Sequence, residues 1–155
     1  METRLDSAKL TQEPLKAMYA LGAYVARCGL EKRLLELVKI RVSQINGCAL
    51  CLDMHTKDSR AEGETEQRID LLNAWAWRET PSFTNRERAA LAWAEAVTFI
   101  SDGVPDPVYS EAREHFTEKE LADLTWAVIA INGWNRVAIS LRCVPRSYQS
   151  KNQHA

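Results

Sequence analysis

The sequence predicts an all-α fold, a compact bundle of about five to seven helices. Apolar residues recur at spacings of three and four over most of the chain, the alternation typical of strands is absent, and glycines, prolines and capping residues separate the periodic segments. Hydrophobic residues make up 46% of the 155 residues and charged residues 26%, which is ordinary for a globular domain. We therefore expect one domain over residues 1–155, with a flexible polar tail at 147–155.

Four helices are predicted in the first half of the chain, and a glycine or proline marks the end of each. Gly29 is placed to end the first helix, the Asn46-Gly47 pair the second, and Gly63 the third. Pro81 follows the fourth, because proline cannot continue a helix. The predicted ranges are 13–28, 31–45, 48–63 and 64–79.

Two capping boxes organise the second half of the chain. Thr84 and Glu87 form the first box, which opens a helix with an apolar stripe. A short helix is then expected up to Phe116. Thr117 and Glu120 form the second box, which opens the last helix at about 118–143.

The last predicted helix is apolar on most sides between residues 121 and 141. A small domain has difficulty covering every face of such a helix, so we expect a closed homo-oligomer in which this helix helps to form the interface. Trp134 and Arg136 are the residues expected to contribute to it. The polar residues Asn132, Asn135 and Arg136 are interpreted as a hydrogen-bonded network between helices or subunits, with direct substrate contact as the alternative.

The charge and the cysteine content of the sequence limit the classes of function that the protein can have. Twenty basic and 21 acidic side chains give a net charge of −1, which argues against general nucleic-acid binding. No apolar run approaches the roughly 20 residues that span a bilayer, and the first residues do not resemble a signal peptide. We therefore expect a cytoplasmic protein with no membrane or nucleic-acid partner, whose four cysteines are thiols, metal ligands or redox groups rather than structural disulfides.

The motif Cys48-Ala-Leu-Cys51-Leu-Asp-Met-His55 carries the sharpest chemical signal. At 3.6 residues per turn, Cys51 lies about 300° round a helix from Cys48 and His55 about 40° beyond Cys51, so the three share one face. The preceding turn puts both thiols at the start of the helix, where free N–H groups and the helix dipole stabilise a thiolate. His55 can accept a thiol proton, and Cys51, the nearer thiol, is expected to be the more acidic.

Three interpretations of these residues remain open. Reversible dithiol chemistry is the first. A zinc site on Cys48, Cys51 and His55 is the second, although no further CxxC or HxxxH pair supplies a fourth ligand. Unreactive buried thiols are the third, and Cys28 and Cys143, which stand alone, are read as buried apolar residues.

Glu36 has two interpretations from the pattern alone. It lies on the polar side of the second helix between Lys32 and Lys39, at the spacings of helical ion pairs, and the simpler hypothesis is a solvated, paired surface residue. The alternative hypothesis is that Glu36 belongs to a functional site. Asp53 and Asp58 are expected to face water on the third helix.

The arrangement of Glu36, eleven residues, CxxC, three residues and His55 resembles the AhpD-like alkylhydroperoxidases of the carboxymuconolactone decarboxylase superfamily. The glycine before Cys48, the stretch Ala-Glu-Gly-Glu at 61–64 and the stretch Ile-Asn-Gly-Trp-Asn-Arg at 131–136 also fit, and the resemblance covers about residues 13 to 145. It implies an all-α fold assembled as trimers or hexamers. It also implies a peroxidase that reduces hydroperoxides through a thiol–disulfide cycle.

Carried over residue by residue, the resemblance makes Cys51 the thiol that attacks peroxide and Cys48 the thiol that resolves it. His55 and Glu36 match the proton-relay positions. The implied partners are a hydroperoxide and a dithiol reductant, either a lipoyl group or a redox protein, with no cofactor and no metal. One departure is Leu50, which stands where the best-known members have a second histidine.

The alternatives to a peroxidase come from other functional classes. A non-catalytic dithiol module, acting as a redox sensor or an electron carrier, needs the same two thiols. A lactone decarboxylase is less favoured, because those enzymes as a group lack the CxxC. A zinc-stabilised bundle is the remaining alternative.

Overall fold

The computed structural model describes residues 2–73, 75–145 and 148–150. This part of the chain contains eight α-helices, two short 3-10 turns and no strand, which confirms the all-α prediction. None of its helices is both long and apolar enough to cross a membrane. The α-helices are α1 (Ser7–Leu10), α2 (Gln12–Val25), α3 (Lys32–Asn46), α4 (Ala49–Ala61), α5 (Glu66–Leu71), α6 (Asn85–Thr98), α7 (Asp106–His115) and α8 (Glu118–Ser140).

Helix α3 is the central element and packs against α4, α6 and α8. Its apolar residues Leu37, Val38 and Ile40 are fully buried, which explains why a helix that carries several lysines and arginines lies inside the bundle. Helix α2 packs on α8, and α4 contacts both α3 and α8. The fold therefore brings α2, α3, α4 and α8 around one region of the molecule.

The predicted helix starts in the second half of the chain are confirmed. Thr84 and Glu87 form a complete capping box at α6, and Thr117 and Glu120 form another at α8. In each box the threonine hydroxyl accepts the N–H of the glutamate, and the glutamate carboxylate accepts the N–H of the threonine. Gly47 ends α3 in the left-handed conformation, with φ of 71°, which only glycine adopts without steric cost.

The single helix predicted over residues 64–79 is wrong. Helix α5 ends at Leu71, and a separate 3-10 turn covers Trp75–Arg78. Leu72 and Trp77 are fully buried in the same cluster of the core. Five residues apart on one helix, they would point about 140° away from each other, so the chain must turn between them for both to reach this cluster.

The amino-terminal end of the chain differs from expectation, and the described part of the predicted tail makes contacts. Helix α1 is a single turn that the apolar spacing did not indicate, and it raises the helix count above the predicted range. Within the predicted tail, Tyr148 donates a hydrogen bond to Asp58 and Ser150 is buried. Residues 147 and 151–155, which the prediction of a flexible tail also covers, lie outside the described residues.

Candidate active site

The turn between α3 and α4 positions the two motif cysteines. Gly47 reverses the chain, and the N–H of Cys48 donates to the carbonyl of Ser43 at 3.0 Å. Cys48 is then the N-cap of α4, and its sulfur accepts the N–H of Cys51 at 3.4 Å. Both thiols thus lie at the start of the helix, as predicted from the spacing.

The surroundings of the two thiols shift their pKa values in opposite directions. The thiol of Cys51 and the N–H groups of Cys51 and Leu50 donate to Cys48, and Asn135 adds a further hydrogen bond. Together they outweigh burial and lower the pKa of Cys48 to about 7. The neighbouring sulfur of Cys48 and burial raise the pKa of Cys51 above its ordinary value. These directions are opposite to the expectation that Cys51 is the more acidic thiol, chiefly because the thiol of Cys51 donates to Cys48, with the backbone N–H groups at the N-cap adding to the effect.

The two thiols also differ in their access to the cavity, and this difference favours Cys51. Cys51 and His55 line a cavity of about 350 Å³, whereas Cys48, 1% exposed, does not. The remaining wall comes mainly from α2 and α8 and is largely apolar. It is formed by Met18, Tyr19, Gly22, Val25, Lys39, Leu50, Met54, Ala127, Ala130, Ile131, Trp134 and Ala138.

Glu36 is a buried partner of His55 and not a solvated surface residue. One carboxylate oxygen lies 2.9 Å from His55 Nδ1, and the other accepts a hydrogen bond from Lys39 Nζ at 2.7 Å. Burial by itself would raise the pKa of Glu36, but the hydrogen bonds and charges of His55 and Lys39 outweigh it and lower the pKa to about 2. The sequence pattern found the pairing with Lys39 and missed the burial, which depends on α4 packing across α3.

The ionised carboxylate fixes the tautomer of His55. A carboxylate only accepts hydrogen bonds, so the proton at the 2.9 Å contact is on Nδ1. In the neutral ring, Nε2 is then the nitrogen that can accept a proton at the cavity. Among the described residues, no hydrogen bond links His55 directly to either thiol, so a proton passing between Cys51 and His55 needs an intervening group such as water.

An amide network behind the thiols confirms the interpretation of the polar residues in the last helix. Asn46 Nδ2 donates to the side-chain oxygens of Asn132 and Asn135, each at 2.9 Å, and Asn135 Nδ2 donates to Ser43 Oγ at 3.1 Å. Asn135 is fully buried, and its amide also lowers the pKa of both thiols. Arg136, by contrast, is exposed and bonds only to Asn132 within the described residues.

Asn135 is the site residue that the sequence reasoning did not assign to the thiols. Its hydrogen-bond partners Ser43 and Asn46, both on α3, lie more than eighty positions earlier in the chain. The signal that could have found it is its position: an unpaired amide in an apolar helix is costly, so it must meet a polar partner.

The positions of the possible metal ligands can be compared with the zinc site considered from the sequence. Within the described residues, the group whose ligand atoms lie close enough for one ion consists of Glu36, His55 and Asp58, all within 4.8 Å, and it does not include the thiols. Lys39 and Tyr148 already occupy the carboxylate oxygens of this group. A cation would have to displace those donors, so the arrangement fits a hydrogen-bonded network better than a metal centre.

A bundle of helices with a CxxC at a helix start, beside a buried Glu–His pair, is the architecture of a dithiol protein of the AhpD-like class. The chain belongs to the carboxymuconolactone decarboxylase family, whose sequence model matches residues 12–96. This range contains the whole motif from Glu36 to His55, and the resemblance stated from sequence is confirmed.

Individual relatives agree with this assignment. The chain is 42% identical to the uncharacterized protein YdfG of Bacillus subtilis (strain 168) over 142 residues, which are 91% of this chain and 95% of that protein. Among solved structures, a protein of unknown function from Agrobacterium tumefaciens, proposed to be the antioxidant defence protein AhpD, is 44% identical with a TM-score of 0.89, covering 95% of this chain and all of that one. An uncharacterized peroxidase-related protein from Silicibacter sp. TM1040 is 26% identical with a TM-score of 0.77, covering 88% and 72%.

Proposed function

We propose that this protein is a thiol-dependent reductase of alkyl hydroperoxides that serves in antioxidant defence. The observation that carries the proposal is the asymmetry of the dithiol. Cys51 and His55 line a largely apolar cavity, whereas Cys48 is buried and does not line it. The names of the Agrobacterium and Silicibacter proteins, which refer to antioxidant defence and to peroxidases, support the same class of activity.

Access and acidity assign different duties to the two thiols. The hydrogen-bonded pair loses its first proton with a pKa of about 7, and the charge rests mainly on Cys48. Cys51 is the thiol that a substrate in the cavity can reach, so it is the nucleophile. Its proton passes through water to His55, which Glu36 orients through Nδ1.

In the first half-reaction the Cys51 thiolate attacks the distal oxygen of ROOH. A sulfur–oxygen bond forms, the O–O bond breaks, and RO⁻ takes a proton from His55 to leave as ROH. Cys51 is then a sulfenic acid. Cys48 attacks its sulfur, the S–O bond breaks, hydroxide takes the proton that Cys48 gives up (or one from solvent where Cys48 is already a thiolate) to form water, and the Cys48–Cys51 disulfide results.

In the second half-reaction a dithiol reductant restores both thiols by exchange and becomes a disulfide itself. A lipoyl group or a redox protein fits this requirement, and neither a cofactor nor a metal enters the cycle. The cycle needs a reducing compartment, which agrees with the expected cytoplasmic location.

We also propose that the protein works as a homo-oligomer, a trimer or a hexamer as the family resemblance implies. Support comes from α8, where Trp126 is 49% exposed and Ile129 and Ile139 are also exposed. Trp134, the anchor expected from the sequence, instead packs against Tyr19 with ring centroids 5.2 Å apart and lines the cavity. The anchor on this face is therefore Trp126.

The decisive experiment measures consumption of cumene hydroperoxide by the purified protein with dihydrolipoamide as reductant. We expect continuous turnover by the unchanged protein and none by Cys51→Ser. Without dihydrolipoamide, Cys48→Ser should consume one equivalent of peroxide and retain Cys51 as a sulfenic acid, because the protein then has no resolving thiol. Mass spectrometry of the oxidised protein should show a loss of about two daltons in the peptide that carries both motif cysteines.

Cys28→Ser and Cys143→Ser are the control variants: both thiols are partly buried outside the motif, and Cys143 is close enough for its charge to act on Cys51. They should turn over like the unchanged protein. Disulfide formation without turnover would instead indicate a sensor or carrier, and oxidation of Cys28 or Cys143 with an intact Cys48–Cys51 dithiol would exclude the proposed site.

A further inference from the structure

The carboxyl-terminal segment 148–150 lies against the outer side of α4. The hydroxyl of Tyr148 is 2.9 Å from both carboxylate oxygens of Asp58 and donates its proton to them. The Lys57 ammonium donates to the carbonyl of Tyr148 at 3.1 Å, and Ser150 is 4% exposed. Three contacts therefore hold this segment, although it falls within the tail predicted to be flexible.

The contact with Asp58 reaches the proton relay. Asp58 follows His55 by three residues on α4, so the two side chains share a face of the helix. Ligand atoms of Glu36, His55 and Asp58 all lie within 4.8 Å of one another. Two carboxylates thus flank one imidazole, yet among the described residues Glu36 alone is hydrogen-bonded to it.

We infer that Tyr148 is a positioning residue of the relay: by engaging both oxygens of Asp58, it keeps this carboxylate off His55 and leaves the imidazole paired with Glu36 alone. A second carboxylate directly on the ring would favour imidazolium before substrate arrives, and a ring that already carries both protons has no free nitrogen to accept the proton of Cys51. The inference rests on the proposed function in one respect only: that function makes His55 the acceptor of the Cys51 proton.

The chemistry of Tyr148 suits this task. Burial, the hydrogen bond to Asp58 and the nearby charges of Asp58 and Glu36 raise the pKa of Tyr148 to about 12. The phenol therefore keeps its proton throughout the physiological range and is a permanent donor, and it does not itself carry protons through the relay.

The charged and titratable groups around His55 come from each element that packs there. Helix α3 supplies the carboxylate of Glu36 and its partner Lys39, and its Lys32 is close enough for its charge to act on Glu36 and Asp58. Helix α4 supplies Asp58 and Cys51, with the Lys57–Asp53 ion pair beside them. The described α8 wall of the cavity carries no charge, and α2 contributes only the phenol of Tyr19. Asp58 is therefore the carboxylate that can change the charge at the ring when Tyr148 is altered.

The test replaces Tyr148 by phenylalanine, which keeps the ring and removes the hydroxyl. NMR then follows the His55 ring signals against pH in the reduced protein without peroxide, with the signals assigned by their loss in His55→Gln. We expect the titration midpoint of His55 to rise by about half to one pH unit, because the released Asp58 turns toward the ring. Tyr24→Phe is the matched control, since Tyr24 makes a comparable hydrogen bond to Asp123 at 2.6 Å, away from the cavity.

A double-mutant comparison separates this role from general stabilisation. With Asp58→Asn in place, Tyr148→Phe should no longer move the His55 midpoint, because no second carboxylate is left to release. A midpoint unchanged by Tyr148→Phe, or a shift that persists in the Asp58→Asn background, would overturn the inference. Peroxide turnover is measured separately, so failure of the proposed function leaves this result readable.

Discussion

Replacing Glu36 by glutamine tests how far the buried carboxylate stabilises the fold as well as the site. Glutamine has nearly the same shape and can still accept the Nδ1–H of His55, but it cannot carry the charge that Lys39 pairs with. In electrostatic terms the variant resembles the protein with Glu36 protonated.

The magnitude and the sign follow from the pKa of Glu36, which is lowered from 4.5 to about 2. At ~1.4 kcal/mol per pH unit, this corresponds to about 3 kcal/mol of stability. The folded pKa is the lower one, so the contribution is present above the unfolded value near pH 4.5 and is lost as the pH falls toward 2. Glu36→Gln should therefore lower the free energy of unfolding by about 3 kcal/mol at pH 7 and by little at pH 2.

Urea denaturation at a series of pH values between 2 and 7 measures this difference. The stability of the unchanged protein and of Glu36→Gln should converge as the pH falls from 4.5 to 2. Glu114→Gln, at an exposed position on α7, is the matched control and should parallel the unchanged protein throughout. A gap between Glu36→Gln and the unchanged protein that stays constant over this range would refute the linkage between ionised Glu36 and folding.

Three further predictions concern α8. A Cβ added at Gly133 would lie 2.9 Å from Met18 Cε, a flexible side-chain end, so Gly133→Ala should change the free energy of unfolding by less than about 1 kcal/mol while raising KM for peroxide, because Met18 moves into the cavity. Trp126→Asp should lower the mass measured by light scattering to that of a smaller assembly; an unchanged mass would place the interface elsewhere. Thr117→Ala removes the hydroxyl of a complete capping box and should cost about 1 kcal/mol in urea denaturation, with no change in peroxide turnover.

The parts of the fold that follow local rules could be predicted from sequence. The two capping boxes and the turn at Gly47 need only residues within one helical turn of each other, and all three occur as expected. The break after Leu71 could not be predicted in this way, because it depends on Leu72 and Trp77 reaching a shared cluster of the core.

In the candidate site, too, some features follow from local sequence and others depend on contacts between distant elements. The closeness of Cys48 and Cys51 is a property of the start of one helix, and the spacing was sufficient to place both there. The burial of Glu36 and the approach of Asn135 to the thiols depend on contacts between elements far apart in sequence. The order of acidity was missed for a related reason: backbone donors and a neighbouring sulfur act on Cys48 through geometry that spacing does not give.

The burial of Cys48 leaves the dithiol with a single reachable sulfur, and this has a kinetic consequence. Under the proposed function, the hydroperoxide and the reductant must both approach Cys51, the cysteine that lines the cavity. The two substrates then occupy the same space in alternation, which is the condition for a ping-pong scheme. High concentrations of a bulky dithiol should in turn slow the reaction by filling the cavity of the reduced protein before the peroxide arrives.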